Sequence, residues 1–488
     1  MIDRNSPLPI YYQLQQLLKE QIESNALKVG DQLPTEQEMC AQYHISRAPV
    51  RQALHALTQE GYIYRQAGVG TFVAEKPRAS SEQQVTLRFL AYDVRWAALM
   101  ERAVQHWNTI HSGHNIRLDV IIPSQSEFHQ TLCSSVGSDN VPDIISIDYV
   151  WIARYAQLGY LLDLDEMEPD FATRVKSELE TPVLRNNIIK GRLYGLPIQA
   201  DVTGFWYRRD WFEAEGLNPP ETWDEWLTLL EYFSRDSIKA RYGHRWPVAF
   251  PVSTTTGEAT LNLLLPFIWA AGGTLLDKEG YFTTDERPVF QALTFLRQIV
   301  RERHYLPDDV ASFHWWNIPH LLAQDKVPMT LGGTYEWPAI SEESGWEREE
   351  MTRRLGFVPI PRPNASSAPV ASLGGTTWAI MRHSKQRELS LEILKMAMEP
   401  KIMLDFCERE LQISSLQPLN QRLIEGNKHQ WMQTVVPMLA AARPRPMLEN
   451  YVQTSNFIQR MFEMVFVEDV PVETAIQQTK CALKLLVG

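Results

Sequence analysis

The chain has 488 residues, 44% of them hydrophobic and 22% charged, with 47 Lys and Arg against 59 Asp and Glu. That length rules out one small domain and implies roughly three folding units, two of which can be lobes of a single domain. The composition is that of an ordinary globular chain and excludes the disordered and fibrous classes. The formal charge of -12 belongs to the larger part: residues 1–77 hold 7 basic and 8 acidic side chains, leaving 40 and 51 for the remainder. Cys40, Cys133, Cys407 and Cys481 lie far apart without paired spacing or clustered histidines, so neither a disulfide framework nor a metal site is expected. No export signal is seen in MIDRNSPLPIYYQ, so retention in the cytoplasm is expected. The most apolar stretch, 261–276, is shorter than a membrane span and is broken by Asn262, Pro266 and Gly272-Gly273; it predicts a buried helix and its exit turn.

In chain order, Ile10, Leu14, Leu17, Leu18 and Ile22 recur at helical spacing and predict a first amphipathic helix over 9–25. Gly30 marks a turn. Thr35 and Glu38 fit a capping box, so a short helix starts there. His44-Ile45 forms the next turn, Ser46 can cap a third helix, and Gly61 can close it. In that helix Val50, Leu54 and Leu57 share one face, while Arg47, Arg51 and His55 stand on another. Residues 62–65 and 71–74 flank Gly68-Val69-Gly70 as a hairpin, giving a winged helix-turn-helix. All 15 Trp lie between Trp96 and Trp431, and residues 75–84 (EKPRASSEQQ) have no helical or strand period. The expected division is a winged-helix domain at 1–76, an exposed linker at 77–84 and a second domain at 85–488.

The stretches Tyr12-Gln13, GDQLPTE (30–36), SRAPVRQAL (46–54), Glu60-Gly61 and GVGTFV (68–73) together closely resemble the GntR family of bacterial transcription factors. The resemblance implies a recognition helix in the major groove, a wing tip at the minor groove, and a homodimer on palindromic double-stranded operator DNA. The DNA-contacting set that it implies is Thr35, Gln37, Ser46, Arg47, Arg51 and Gly68. Ser46, Arg47 and Arg51 would meet phosphates or guanine edges, and Gly68 would let the wing backbone approach the duplex. The chain departs from the family at Gln37, where Arg is common, at Ala48, where Thr is common, and in a wing tip, Ala67-Gly68-Val69, that carries no cation. Each lost cation removes a contact, so dimerisation matters more to affinity.

Beyond the linker, 85–93 reads as a strand, 96–110 as a helix, 116–122 as a strand, and 143–148 as a third strand. Strand, helix, strand with short connections predicts a parallel βαβ unit, with ligands beyond the carboxyl ends of the strands, at Tyr92-Asp93, Ser124-Gln125 and Asp148 with Trp151. Further on come LGYLLDL (158–164), GRLYGLP (191–197), GFWYRRDWF (204–212), PPETWDE (219–225), AAGG (270–273), MTLGG (329–333) and LGGTTW (373–378). In that order they look like the extracellular solute-binding proteins of carbohydrate ABC importers, the maltose-binding-protein group. The resemblance implies an α/β domain of two lobes, at about 86–198 with 375–430 and about 199–374 with 431–488, closing by a hinge on a ligand.

A sugar offers an apolar C–H face and a ring of hydroxyls, so its site needs flat aromatic surfaces beside paired acceptors and donors. The preferred ligand contacts are Trp151 with Asp148, Trp206 with Asp201, Trp316, Trp337 with Glu336, and Trp378 after Gly375. Trp107, Trp211, Trp223 and Trp226 fall in helical patterns and read as core; Arg443 and Arg445, in the turn ARPRP, read as a solvated loop. Three alternatives fit the sequence less well. A pyridoxal-phosphate aminotransferase-like domain, carried by some GntR relatives, needs a Schiff-base lysine and an Asp partner, and Ser384-Lys385 is a poor candidate. Glycoside hydrolysis would need carboxylates flanking one bond, which Glu342-Glu343 and Asp308-Asp309 do not establish. A transporter's binding component does not fit the attached DNA-binding module. The expectation is a cytoplasmic, ligand-responsive transcription regulator sensing a carbohydrate or related small solute, with no catalysis, no cofactor and no membrane partner.

Overall fold

The computed structural model describes residues 10–24, 26–59, 61–66, 70–74, 83–91, 94–111, 114–123, 128–136, 140–179, 181–277, 280–410, 412–425, 430–448 and 450–487. They fall into two units, 1–135 and 136–488. In the first, helix α1 (Ile10–Glu23) turns Leu14 and Leu18 inward. Helix α2 (Glu36–Tyr43) starts at the Thr35–Glu38 capping box and ends at His44, which takes the left-handed conformation at φ 55°. Helix α3 (Arg47–Gln59) buries Val50, Ala53, Leu54 and Leu57 in one cluster with Leu33, Met39, Ile45 and Ile63. Strands β1 (Ile63–Gln66) and β2 (Gly70–Val73) pair antiparallel, each within a residue of its expected start, and Leu33 and Gly30 donate to the carbonyls of Thr71 and Val73. The short segment after Gly30 thereby anchors the wing to the helices.

The same unit holds the βαβ motif. Strand β3 (Gln83–Leu90) pairs parallel with β4 (His114–Ile121) across helix α4 (Val94–Ile110). The Asn108 side chain bonds both the amide and the carbonyl of Ile116, at 2.9 and 3.0 Å, and so pins helix to strand. Tyr92-Asp93, Ser124-Gln125, Gly68 and most of the expected linker lie outside the described residues.

The second unit is built on two sheets. In one, strand β5 (Ile144–Asp148) pairs antiparallel with Thr376–Ile380, which also pairs with Leu196–Pro197. In the other, Gln199–Arg208 is buried along all ten residues. It pairs antiparallel with Met329–Gly333, Leu355–Val358, Ser372–Gly374 and Ile413–Ser414. Ser372–Gly374 pairs in turn, parallel, with Arg443–Pro444. The apolar stretch forms the helix Glu258–Ala270, buried from Thr260 to Ala270, and leaves through Gly272 at φ +87°. Among the described residues no helix is long and apolar enough to cross a membrane.

The chain passes from one sheet to the other at Gly375. Its φ is +143°, and a Cβ there would lie 2.3 Å from the carbonyl oxygen of Gln199. A side chain can fit only if the backbone moves. Gly375→Ala is therefore expected to destabilise the unit by about 1–3 kcal/mol, measured as a lower urea midpoint; an unchanged midpoint would show that the passage tolerates a Cβ.

Candidate functional site

Helix α3 presents the arginine face that its spacing implies. Arg47 and Arg51 are 64% and 63% exposed along their side chains. Both turn toward one carboxylate: Glu36, in the first turn of α2, accepts from Arg51 Nε at 2.9 Å and lies 3.7 Å from Arg47 Nε. Arg65 of β1 reaches the same group at 3.7 Å. Three guanidiniums from helix and wing thus share one surface, and planar forked donors of this kind match phosphates and guanine edges. Arg65 was missed in the sequence because a lone arginine in a four-residue strand carries no periodic signal. Thr35, expected at the interface, spends its hydroxyl on the cap: Oγ1 accepts from the Glu38 amide at 3.2 Å and donates to Glu38 Oε2 at 2.9 Å. Those bonds, with the Thr35 amide, hold the Glu38 carboxyl below its usual range. Gln37 and Ser46 are exposed, next in sequence to Glu36 and Arg47 respectively.

In the second unit the expected ligand residues separate into three groups. Trp206, Glu336 and Trp337 converge in the interior: the two indoles lie 5.7 Å apart, and Trp206 Nε1 donates to the Gly333 carbonyl at 3.1 Å. A Cβ on Gly332 would strike both Glu336 and Trp206. Trp378 is the middle residue of a central strand and, like Trp206, has no exposed surface. Asp201 is buried against Gly374, five residues along the strand from Trp206 and so on its opposite face. The pairing of Asp201 with Trp206 is therefore not formed, and Trp206, Trp337 and Trp378 serve as core in this conformation rather than as open platforms. Trp107, Trp211, Trp223 and Trp226 are core as expected.

The third group is accessible. Trp151 follows Asp148 by one turn of 3-10 helix at the carboxyl end of β5 and is half-buried. Its ring stacks on Tyr155 and meets the edge of Tyr451 at 6.0 Å. Trp316 stacks on His314 at 4.5 Å and abuts Trp315, whose ring faces Tyr335 at 6.2 Å. Tyr335 covers Gly333 at the carboxyl end of Met329–Gly333, where a Cβ would collide with its ring. The aromatic loop is held by Ser253 and Thr256, which donate to the carbonyls of Ala311 and Phe313, just before the helix that begins at Glu258. Trp315 and Tyr335 were not singled out from the sequence, where the neighbouring Trp316 and Trp337 had the same appearance.

Beside Trp151 lies a buried charge network. Arg445 is 3% exposed, not solvated as the proline-rich turn suggested. Its Nη2 donates to both oxygens of Asp148, at 2.8 and 2.6 Å, and Nη1 donates to Glu258 at 2.7 Å. Glu258 also accepts from the hydroxyls of Tyr451 and Ser455. The Tyr149 hydroxyl accepts from the Arg445 amide and donates to the Leu373 carbonyl, both at 2.9 Å. Burial pushes that phenol up to about 12. It also raises the Asp148 carboxyl above its ordinary range, against the pull of Arg445. Pro444 and Pro446 concealed this role, since prolines on both sides of an arginine usually mark an exposed turn.

A winged helix with an arginine face, joined to a two-lobed solute-binding fold, defines a DNA-binding regulator with a small-molecule domain. The profile of bacterial extracellular solute-binding proteins matches residues 95–403, and that of bacterial regulatory proteins of the gntR family matches residues 10–73. The chain belongs to the solute-binding protein family and carries a gntR-family DNA-binding domain ahead of it. It is 32% identical over 197 residues to the HTH-type transcriptional repressor NagR of Bacillus subtilis, covering 36% of this chain and 80% of that protein. It spans about a third of the length of two other relatives, the HTH-type regulator YurK of Bacillus subtilis and the ABC transporter extracellular-binding protein PH1039 of Pyrococcus horikoshii. Its fold matches an ABC transporter solute-binding protein from Thermotoga lettingae bound with alpha-D-tagatose, with TM-score 0.71 and 20% identity over 83% of this chain and all of that one. It also matches maltose-bound MalE3 of T. maritima, with TM-score 0.71 and 19% identity over 82% of this chain and 99% of that one.

Removing the arginine would leave the half-buried carboxylates of Asp148 and Glu258 facing each other without their cation. Arg445→Met is expected to cost about 3–5 kcal/mol of stability in chemical denaturation, and a loss below about 1 kcal/mol would mean that water replaces the guanidinium.

Proposed function

We propose that the protein is a cytoplasmic, homodimeric transcription regulator whose second domain senses a carbohydrate or related polyol and passes that information to operator binding. The observation that carries this reading is the union, in one chain, of an arginine-faced winged helix with the fold of solute-binding proteins. Two solved proteins of that fold hold tagatose and maltose. The lobes are taken as residues 86–198 with 375–430 and residues 199–374 with 431–488. On this reading no reaction is catalysed, and the space that an aminotransferase-like domain would need is taken up by the solute-binding domain.

The effector would stack its C–H face on Trp151 and on the Trp315–Trp316–Tyr335 cluster, with hydroxyls directed to the open side of Asp148. Lobe closure around it would change the spacing of the two recognition helices in the dimer. Only an effector that binds one arrangement better than the other can shift DNA affinity, and DNA must then shift effector affinity by the same factor.

Two measurements test the assignment. Arg51→Ala is expected to weaken operator binding by about 1–3 kcal/mol in a fluorescence-anisotropy titration while leaving effector binding intact; unchanged operator affinity would remove α3 from the interface. Trp151→Ala is expected to reverse the pattern. In a thermal-shift screen against sugars, sugar phosphates and polyols, the wild-type protein should gain melting temperature with its effector by mass action, and Trp151→Ala should lose most of that gain. A full gain in the variant would exclude Trp151 from the site.

A further inference from the structure

Three strands lie side by side where the chain passes between the two sheets of the second unit: Gln199–Arg208, which follows Leu196–Pro197 of the other sheet, Ser372–Gly374, which leads into Thr376–Ile380, and Arg443–Pro444, which pairs with Ser372–Gly374. Arg445 is the first residue past the third of these strands. Its two guanidinium nitrogens diverge, one to Asp148 at the end of β5 and the other to Glu258 at the start of Glu258–Ala270, a helix that packs on the other sheet. Glu258 is tied further to its own side by Tyr451, Ser455 and Gln459, all on the helix Tyr451–Phe466. Among the described residues Asp148 has no comparable set: besides Arg445 it accepts a long 3.5 Å contact from the Val150 amide. The two halves of the network are therefore unequal. If the sheets swing apart, the guanidinium can stay with Glu258 while the Tyr149 hydroxyl keeps its hold on the Arg445 amide, and the bonds to Asp148 are the ones that break.

We propose that the Arg445–Asp148 ion pair is an interlobe latch that sets the balance between open and closed sensor before any effector binds. This rests on the lobe assignment made under the proposed function. Two features make the latch a closing device rather than ordinary core. The arginine bonds both lobes at once, so the pair exists only at one separation of the sheets. It also sits beside Trp151, whose ring meets Tyr451 from the Glu258 side, so the wall offered to an effector is assembled by the same movement that forms the pair. The triad carries one positive and two negative formal charges, so a hydroxyl donor of the effector reaching Asp148 reinforces the closed form instead of competing with the arginine. Nε of Arg445 has no partner among the described residues.

The test uses the full chain with Cys133 and Cys481 changed to Ser and spin labels at Thr173→Cys and Glu231→Cys, exposed positions on helices Pro169–Glu178 and Trp223–Ser234. Distances between the labels are read without effector. Asp148→Asn keeps the side-chain shape and loses the charge. It is expected to add or enlarge a longer-distance population and to shift operator affinity about 5-fold or more, the lower end of an ordinary coupling. Glu258→Gln, which breaks a bond within one lobe, is expected to lower the melting temperature and leave the distance distribution as in the parent. An unchanged distribution in Asp148→Asn, or the same lengthening in both variants, would overturn the latch. Because the distances need no effector, a failed sugar screen would count against the proposed ligand class without touching this result.

Discussion

Ten consecutive buried residues, Gln199 to Arg208, are the constraint on which the second unit depends. A strand with no exposed residue must pair on both edges, and this one accepts four partner strands along its length. Its register cannot slip, because a shift by one residue would exchange every side chain between two filled faces. The polar residues within it are held by the neighbours it recruits: the Thr203 hydroxyl accepts from the Ser372 amide, and Arg208 pairs with Asp210 and Asp325. From that fixed ladder follow the position of Gly375, the place where the chain changes sheet, and the line along which Ser372–Gly374 and Arg443–Pro444 lie.

The network around Arg445 stands beside this ladder and has a different energetic character. Burying an arginine between two half-buried carboxylates is a poor way to gain stability, since an apolar side chain of similar volume often does as well or better. What ion pairs provide is discrimination: two carboxylates and one guanidinium satisfy each other at one geometry and are costly at others. The aromatic walls divide in the same way. Trp206, Trp337 and Trp378 fill the interior, where shape decides, while Trp151, Trp315, Trp316 and Tyr335 keep a partly open face, where a ligand can decide.

Much of this was legible in the sequence because it is encoded locally. The capping box at Thr35, the two faces of α3, the parallel βαβ unit and the buried apolar helix each rest on residues a few positions apart, and the elements formed within three residues of expectation, the first strand ending at Leu90 rather than 93 and the helix starting at Glu258 rather than 261. What could not be read depends on contacts across hundreds of residues. Whether a tryptophan becomes core or wall is set by partners such as Gly333 for Trp206, 127 positions away. The same holds for Arg445, which looked solvated because nothing near it in sequence reveals Asp148 or Glu258. Arg65 and Glu36 were likewise separate until the hairpin folded back on α2.

These separations also order the birth of the protein. The helices and hairpin that read DNA close on contacts within the first 74 residues, whereas Arg445 meets Asp148 across 297 positions. Domains made first on the ribosome fold first, and pairings between distant segments form late. A nascent chain therefore has a folded winged helix long before its solute-binding domain is complete. Each new molecule passes through an interval in which the first domain is made and the second is not.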